Sequence, residues 1–170
     1  MKSLTLYLLS FIFIGSLLIS CSQEDDGIYF NETIETNETI NTDVSYSSIE
    51  TEILDLVNEH RQSLGLKTLT PLSIISGVAD GHTDYMVEKG VVNHDYFNER
   101  SATLTNKAGA KSVGENVAYG FNSAQAVLNG WLKSTEHKKI IENESYTHFG
   151  ISTESNEEGR NYFTQIFIAK

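Results

Sequence analysis

The chain has 170 residues, enough for one domain with short additions. Its formal net charge is −11, and no basic patch suits nucleic acid. A single cysteine, Cys21, excludes internal disulfides, a cysteine zinc site and a paired-thiol redox motif, so burial alone must stabilise any exported domain.

Residues 1–20 carry one early charge, Lys2, followed by an uncharged and mostly apolar run from Ser3 to Ser20. That pattern is a signal peptide. A membrane-spanning helix is the competing reading, because about 18 apolar residues is near the spanning limit. Leu18-Ile19-Ser20-Cys21 decides between them, since it resembles the lipobox of bacterial lipoproteins. The resemblance implies lipidation of Cys21 and a membrane partner reached through that anchor. The expected location is the bacterial cell envelope, at the outer membrane or cell surface. Several acyl chains would anchor firmly where one binds only marginally.

Residues 21–46 read as the lipidated Cys followed by an acidic, disordered linker. Residues 22–50 hold eight acids and no Lys or Arg, which leaves 15 acids and 11 bases in residues 51–170. The domain itself is therefore only mildly acidic. The acids of Ser22–Asp26 resemble the export signals of surface lipoproteins, although an ordinary solvated linker has the same composition.

The folded domain is expected over 47–170. Ser47 and Glu50 form a capping box. Ile49, Ile53, Leu56, Val57, His60 and Leu64 then share a helical face, and Gly65 stops the helix. Pro71 marks a loop. A second helix is expected from Leu72 to Lys89, with Gly90 ending it, a third after Ser123, and a short fourth over Glu136–Ile141. Strands are expected at Val113–Tyr119, Phe149–Thr153 and Tyr162–Ile168. Helices and strands mix without regular βαβ spacing, which favours an α+β fold of antiparallel sheet and helices.

Zinc-protease helices, nucleophile elbows, phosphate loops and dinucleotide fingerprints are all missing from the sequence. His60 and His82 lie on apolar helical faces and read as buried, singly hydrogen-bonded histidines. His148 precedes a strand. His94 in Val91–Asp95, Glu115 in Gly114–Val117 and His137 in Trp131–Lys138 each look like ordinary surface residues when taken alone.

In order and together, these segments resemble the CAP superfamily (cysteine-rich secretory proteins, antigen 5 and pathogenesis-related 1 proteins) in its bacterial SCP-like form. The resemblance runs through Leu56–Arg61, Gly65, Leu69, Ala79–Met86, Asn93-His94-Asp95 and Gly114–Ala118. It continues through Trp131–Ser134 with His137, Phe149–Ile151 and Tyr162–Phe167. It implies a three-layer α-β-α sandwich with a central, mainly antiparallel sheet. It also implies a cleft with two His and two acidic residues, whose two His can hold a divalent metal.

His94, Glu115 and His137 match three of those four positions. The fourth falls on Ser134, and Glu136 is the nearest carboxylate that could replace it. Two imidazoles and a carboxylate could ligate Zn²⁺ with a position left open for water. They could equally act without metal, with Glu115 fixing a His tautomer. They could also simply order the loops.

Asn58, Arg61, Asn116 and Trp131 read as structural: Arg61 ties the first helix to a loop, Asn116 satisfies backbone groups beside Glu115, and Trp131 fills the core. The function expected first is a binding module for a lipid, an envelope glycan or a protein, with no catalytic residue assigned and no certain cofactor. The alternative is a hydrolase with Glu115 as base and a divalent metal, Zn²⁺, on His94 and His137. A surface antigen or adhesin with a vestigial cleft is a third reading.

Overall fold

The computed structural model describes residues 28–29 and 43–170. The expected signal peptide, Cys21 and most of the expected linker lie outside the described residues. Ten elements follow in chain order: β1 (Ile28–Tyr29), α1 (Ser48–Ser63), β2 (Thr70–Pro71), α2 (Ser73–Lys89), α3 (Phe97–Ala108), β3 (Ser112–Tyr119), α4 (Ala124–Lys133), α5 (Thr135–Ile141), β4 (His148–Ser155) and β5 (Asn161–Ala169). The sheet order is β1-β3-β5-β4-β2. β5 pairs antiparallel with β3 and β4, and only β2 runs parallel to its neighbour. The protein has an α+β fold with a mainly antiparallel sheet.

Alternation along β5 builds the three layers. Phe163 and Phe167 face one way, into a core with Ile53, Val57 and Leu128 of α1 and α4, Trp131, and Ile140 and Ile141 of α5. Ile166 and Ile168 face the other way, into a core with Ile75 and Ala79 of α2 and with Phe97 and Leu104 of α3. A sheet buried on both faces reads as a near-continuous apolar run. This explains the run through Tyr162–Ile168.

The capping box is formed: the Ser47 amide donates to Glu50 at 2.8 Å, and Ser47 Oγ accepts from the Glu50 amide. Glu50 also accepts from the Thr153 amide at 2.7 Å, so the cap doubles as a tie to β4. Gly90 closes α2 in the left-handed conformation.

Several expectations need correction. Leu64 is 52% exposed, and Leu54 is buried although it was not on the expected apolar face. The last turn of α1 buries Arg61 instead. α3 was not expected at all, because its sequence is rich in Asn, Ser and Thr and its first residue follows Tyr96, which offers no side-chain cap. β2 lies where Pro71 suggested only loop. Within the expected linker, Ile28–Tyr29 pair antiparallel with Gly114 and Val113. Tyr46 packs against the α1 core and bonds Ser76 Oγ at 2.8 Å.

Two contacts hold the layers in register. Arg61 is fully buried and donates to the carbonyls of Lys67 (2.9 Å), Ile141 (2.6 Å) and Asn143 (2.9 Å). Its charge therefore sits at the C-terminus of α5, where the helix dipole favours a cation. Asn58 brackets Leu69, donating to its carbonyl and accepting from its amide. On the other face, Gly150 lets the first turn of α2 lie on β4, since a Cβ there would run into the Ser76 backbone nitrogen.

Two outcomes are expected in urea unfolding. Arg61→Met should lose about 3 kcal/mol, because three buried carbonyls lose a charged donor. Gly150→Ala should also lower the midpoint, since the obstruction is backbone and must be relieved by moving α2. Wild-type midpoints in either variant would contradict this account.

Candidate functional site

Glu115 occupies the middle of β3, opposite Ile166, and is fully buried on the face covered by α2 and α3. A carboxylate in that position needs hydrogen-bonded partners, preferably charged. Arg100 of α3 supplies a fork: Nε donates to one oxygen and Nη2 to the other, both at 2.7 Å. His94 Nδ1 lies 2.8 Å from the oxygen that Nη2 also contacts. His82 Nε2 stands 3.8 Å from that same oxygen.

Burial alone would raise the Glu115 carboxyl pKa. The His94 hydrogen bond and the Arg100 guanidinium outweigh it and hold the group at about 2. An ionised carboxylate only accepts, so His94 Nδ1 must carry the proton. In the neutral ring Nε2 then bears the lone pair. The His94 side chain is 19% exposed, so one edge of a fixed tautomer reaches solvent.

The support beneath His94 is rigid. Arg100 Nη1 donates to the Asp95 carbonyl at 2.6 Å. His82 Nε2 donates to the Asn93 carbonyl at 2.8 Å. Burial lowers the His82 pKa, and Arg100 adds to the effect, which favours the neutral ring. His82 stacks on Tyr85, whose hydroxyl donates to Asp95 at 2.8 Å. Tyr96 completes the turn with φ 60°, the one non-glycine residue at positive φ among those described. Such a conformation persists where the surroundings over-determine it.

The other expected site residues come from the opposite face of β3 and from α4 and α5. Asn116 points to the opposite face of β3 and is fully buried. Its amide donates to a backbone group, the His137 carbonyl, at 3.2 Å. His137 is half-buried on the short α5. Ser134 joins α4 to α5 and makes no side-chain cap. Glu136 binds Lys139 on its own helix through both oxygens at 2.8 Å. Trp131 is buried and donates to the Val117 carbonyl at 3.0 Å. His60 is half-buried and pairs with Glu142 at 2.9 Å.

Glu115 is placed as the charge partner of Arg100. Both of its oxygens are occupied, and the adjacent Arg100 charge opposes a cation. Among the described residues, no group of three or more His, Cys, Asp or Glu could hold a metal ion. A base also works best with a pKa near the operating pH, far from about 2.

Sequence reasoning missed Arg100 and underrated His82. Arg100 lay in a polar segment with no motif around it. His82 carried the correct signal, a His on a buried helical face, but nothing in the sequence placed that face against Glu115.

Acid should act on this cluster in two stages. A depressed His pKa costs stability as pH falls below about 6.5, where the unfolded ring takes its proton first. A depressed carboxyl pKa contributes stability that is present above 4.5 and lost as pH falls toward 2, on the order of 3 kcal/mol. Urea midpoints should drop in both windows, and Glu115→Gln should abolish the lower step.

The family model for the cysteine-rich secretory protein family matches residues 54–167. The chain is 33% identical over 124 residues to "Uncharacterized membrane protein YlbC" of Bacillus subtilis (strain 168), covering 71% of this chain and 34% of that protein. It is 31% identical over 144 residues to "Uncharacterized protein YkwD" of the same strain, covering 80% of this chain and 53% of that one. It thus spans about a third and about half of these two relatives. A solved extracellular protein with an SCP domain from Bacillus anthracis str. Ames is 29% identical, with a TM-score of 0.63, covering 71% of this chain and 40% of that one. The chain belongs to the cysteine-rich secretory protein (CAP) family.

Proposed function

We propose that this chain is a bacterial cell-envelope binding module, held to a membrane by a lipid on Cys21, which presents His94 on a rigid, charged base. The observation that carries this reading is the buried pairing of Glu115 with Arg100. It removes the one well-placed carboxylate from proton transfer and spends it on fixing the His94 tautomer. A preorganised acceptor edge serves recognition, because little freedom remains to be lost on binding. The hydrolase alternative needs Glu115 as a base, and the ion pair opposes that role.

The relatives' descriptions as a membrane protein and an extracellular protein support an envelope setting. Among the described residues, no helix is long and apolar enough to cross a membrane. The pairing of β1 with β3 adds a length constraint. Seven residue steps lead from Cys21 to Ile28, a reach of at most about 25 Å. A lipid on Cys21 would therefore keep the β1–β3 edge close to the bilayer while β1 stays paired, so the linker acts as a short tether.

The expected ligand is a lipid, an envelope glycan or a protein. The test titrates phospholipid vesicles and soluble peptidoglycan fragments against the wild type and His94→Ala. Saturable binding that weakens at least tenfold in a His94→Ala variant that still folds, as read by circular dichroism, is the expected result. Multiple-turnover hydrolysis in the presence of Zn²⁺, abolished by Glu115→Gln in a folded protein, would overturn the proposal in favour of the hydrolase.

A further inference from the structure

Gln165 lies at the centre of β5, fully buried, and neither its side-chain oxygen nor its nitrogen has a hydrogen-bond partner among the described residues. Directly opposite on β3 is Asn116, also fully buried, whose Oδ1 is likewise unpartnered. Facing residues of an antiparallel pair project to the same side of the sheet. Both amides therefore enter the layer that holds Trp131, Phe163 and Phe167. On the adjacent β4, Thr153 Oγ1 is a further buried atom without a partner. It sits opposite Phe163, one same-face position along from Gln165.

Unpaired polar atoms gathered in an apolar layer are costly, and native proteins rarely leave them so. Asn116 and Gln165 together offer two acceptor oxygens and one amide donor, and Thr153 adds a hydroxyl. A buried water makes about three hydrogen bonds to such groups.

We infer that this layer encloses an internal hydration site, with at least one ordered water bridging Asn116 Oδ1 and the Gln165 amide. The site has a purpose in the fold. Asn116 uses its remaining group, Nδ2, to hold the His137 carbonyl. The bridging water fixes the Asn116 amide from below, so Gln165 acts through water and Asn116 on α5. Gln165 is thus a positioning residue for the segment carrying Ser134, Glu136 and His137. The same strand pair serves both layers: Glu115 organises His94 on one face, and its neighbour Asn116 organises His137 on the other.

The first test needs no substitution. In the full chain in detergent micelles, the Gln165 side-chain amide protons should show magnetisation transfer from a long-lived water. Its absence would overturn the proposal. The second test is Gln165→Met, which keeps the shape and removes the amide. A bridged site loses the water and orphans Asn116, so the urea midpoint should fall and the His137 ring resonances should shift, with the circular dichroism unchanged. A dry site gains from losing an unsatisfied amide, so a raised midpoint would overturn the hydration site. A lowered midpoint with unmoved His137 resonances would overturn the positioning role. If Gln165→Met does not fold, the wild-type water measurement decides.

Discussion

The structure on one side of the sheet is organised by the need to neutralise a single buried carboxylate. Glu115 is fully enclosed in β3, where an unpaired charge would be prohibitive. Its neutralisation recruits Arg100 from α3 and His94 from the loop between α2 and α3, with His82 of α2 close by. Arg100 then reaches on to Asp95 and His82 to Asn93, so the loop is pinned by the groups that satisfy the charge. Removing one partner would leave the others buried and unbalanced. The cluster therefore stands or falls as a unit, and it imposes a single arrangement on three elements distant in sequence.

The opposite layer solves a different problem with a cation. Among the described residues Arg61 pairs with no carboxylate and is stabilised by three carbonyls, one of them at the C-terminus of α5. Burial lowers its pKa. A guanidinium nonetheless stays protonated in a protein interior, which makes it a better choice than Lys for this position. The result is a domain with a buried charge centre on each side of the sheet.

Most of the scaffold was legible in the sequence, and the reasons are local. Ser47 and Glu50 announce α1, Gly90 ends α2, Ser123 opens α4, and alternation marks β5. What could not be read is what depends on distant packing. The phase of α1 shifts because Arg61 finds its carbonyls across the fold, which leaves Leu64 outside the core. α3 is helical through its buried Phe97, Arg100 and Leu104 rather than through propensity or a cap. At the site, the order of motifs identified His94 and Glu115 as neighbours. The charge that defines Glu115 comes from Arg100, and no spacing rule links residues 100 and 115. His137 was placed with the other two by resemblance, whereas the structure ties its backbone to Asn116.

The central claim is that Glu115 is a structural anion and neither a base nor a metal ligand. The most direct measurement is a ¹³C titration of the Glu115 side-chain carboxyl in the folded protein. This account predicts a carboxylate that stays ionised from neutral pH down to near pH 2, with no inflection around 4.5. A midpoint at or above 4.5 would contradict it, because the Arg100 pair would then not be holding the charge and the carboxyl would be available for proton transfer.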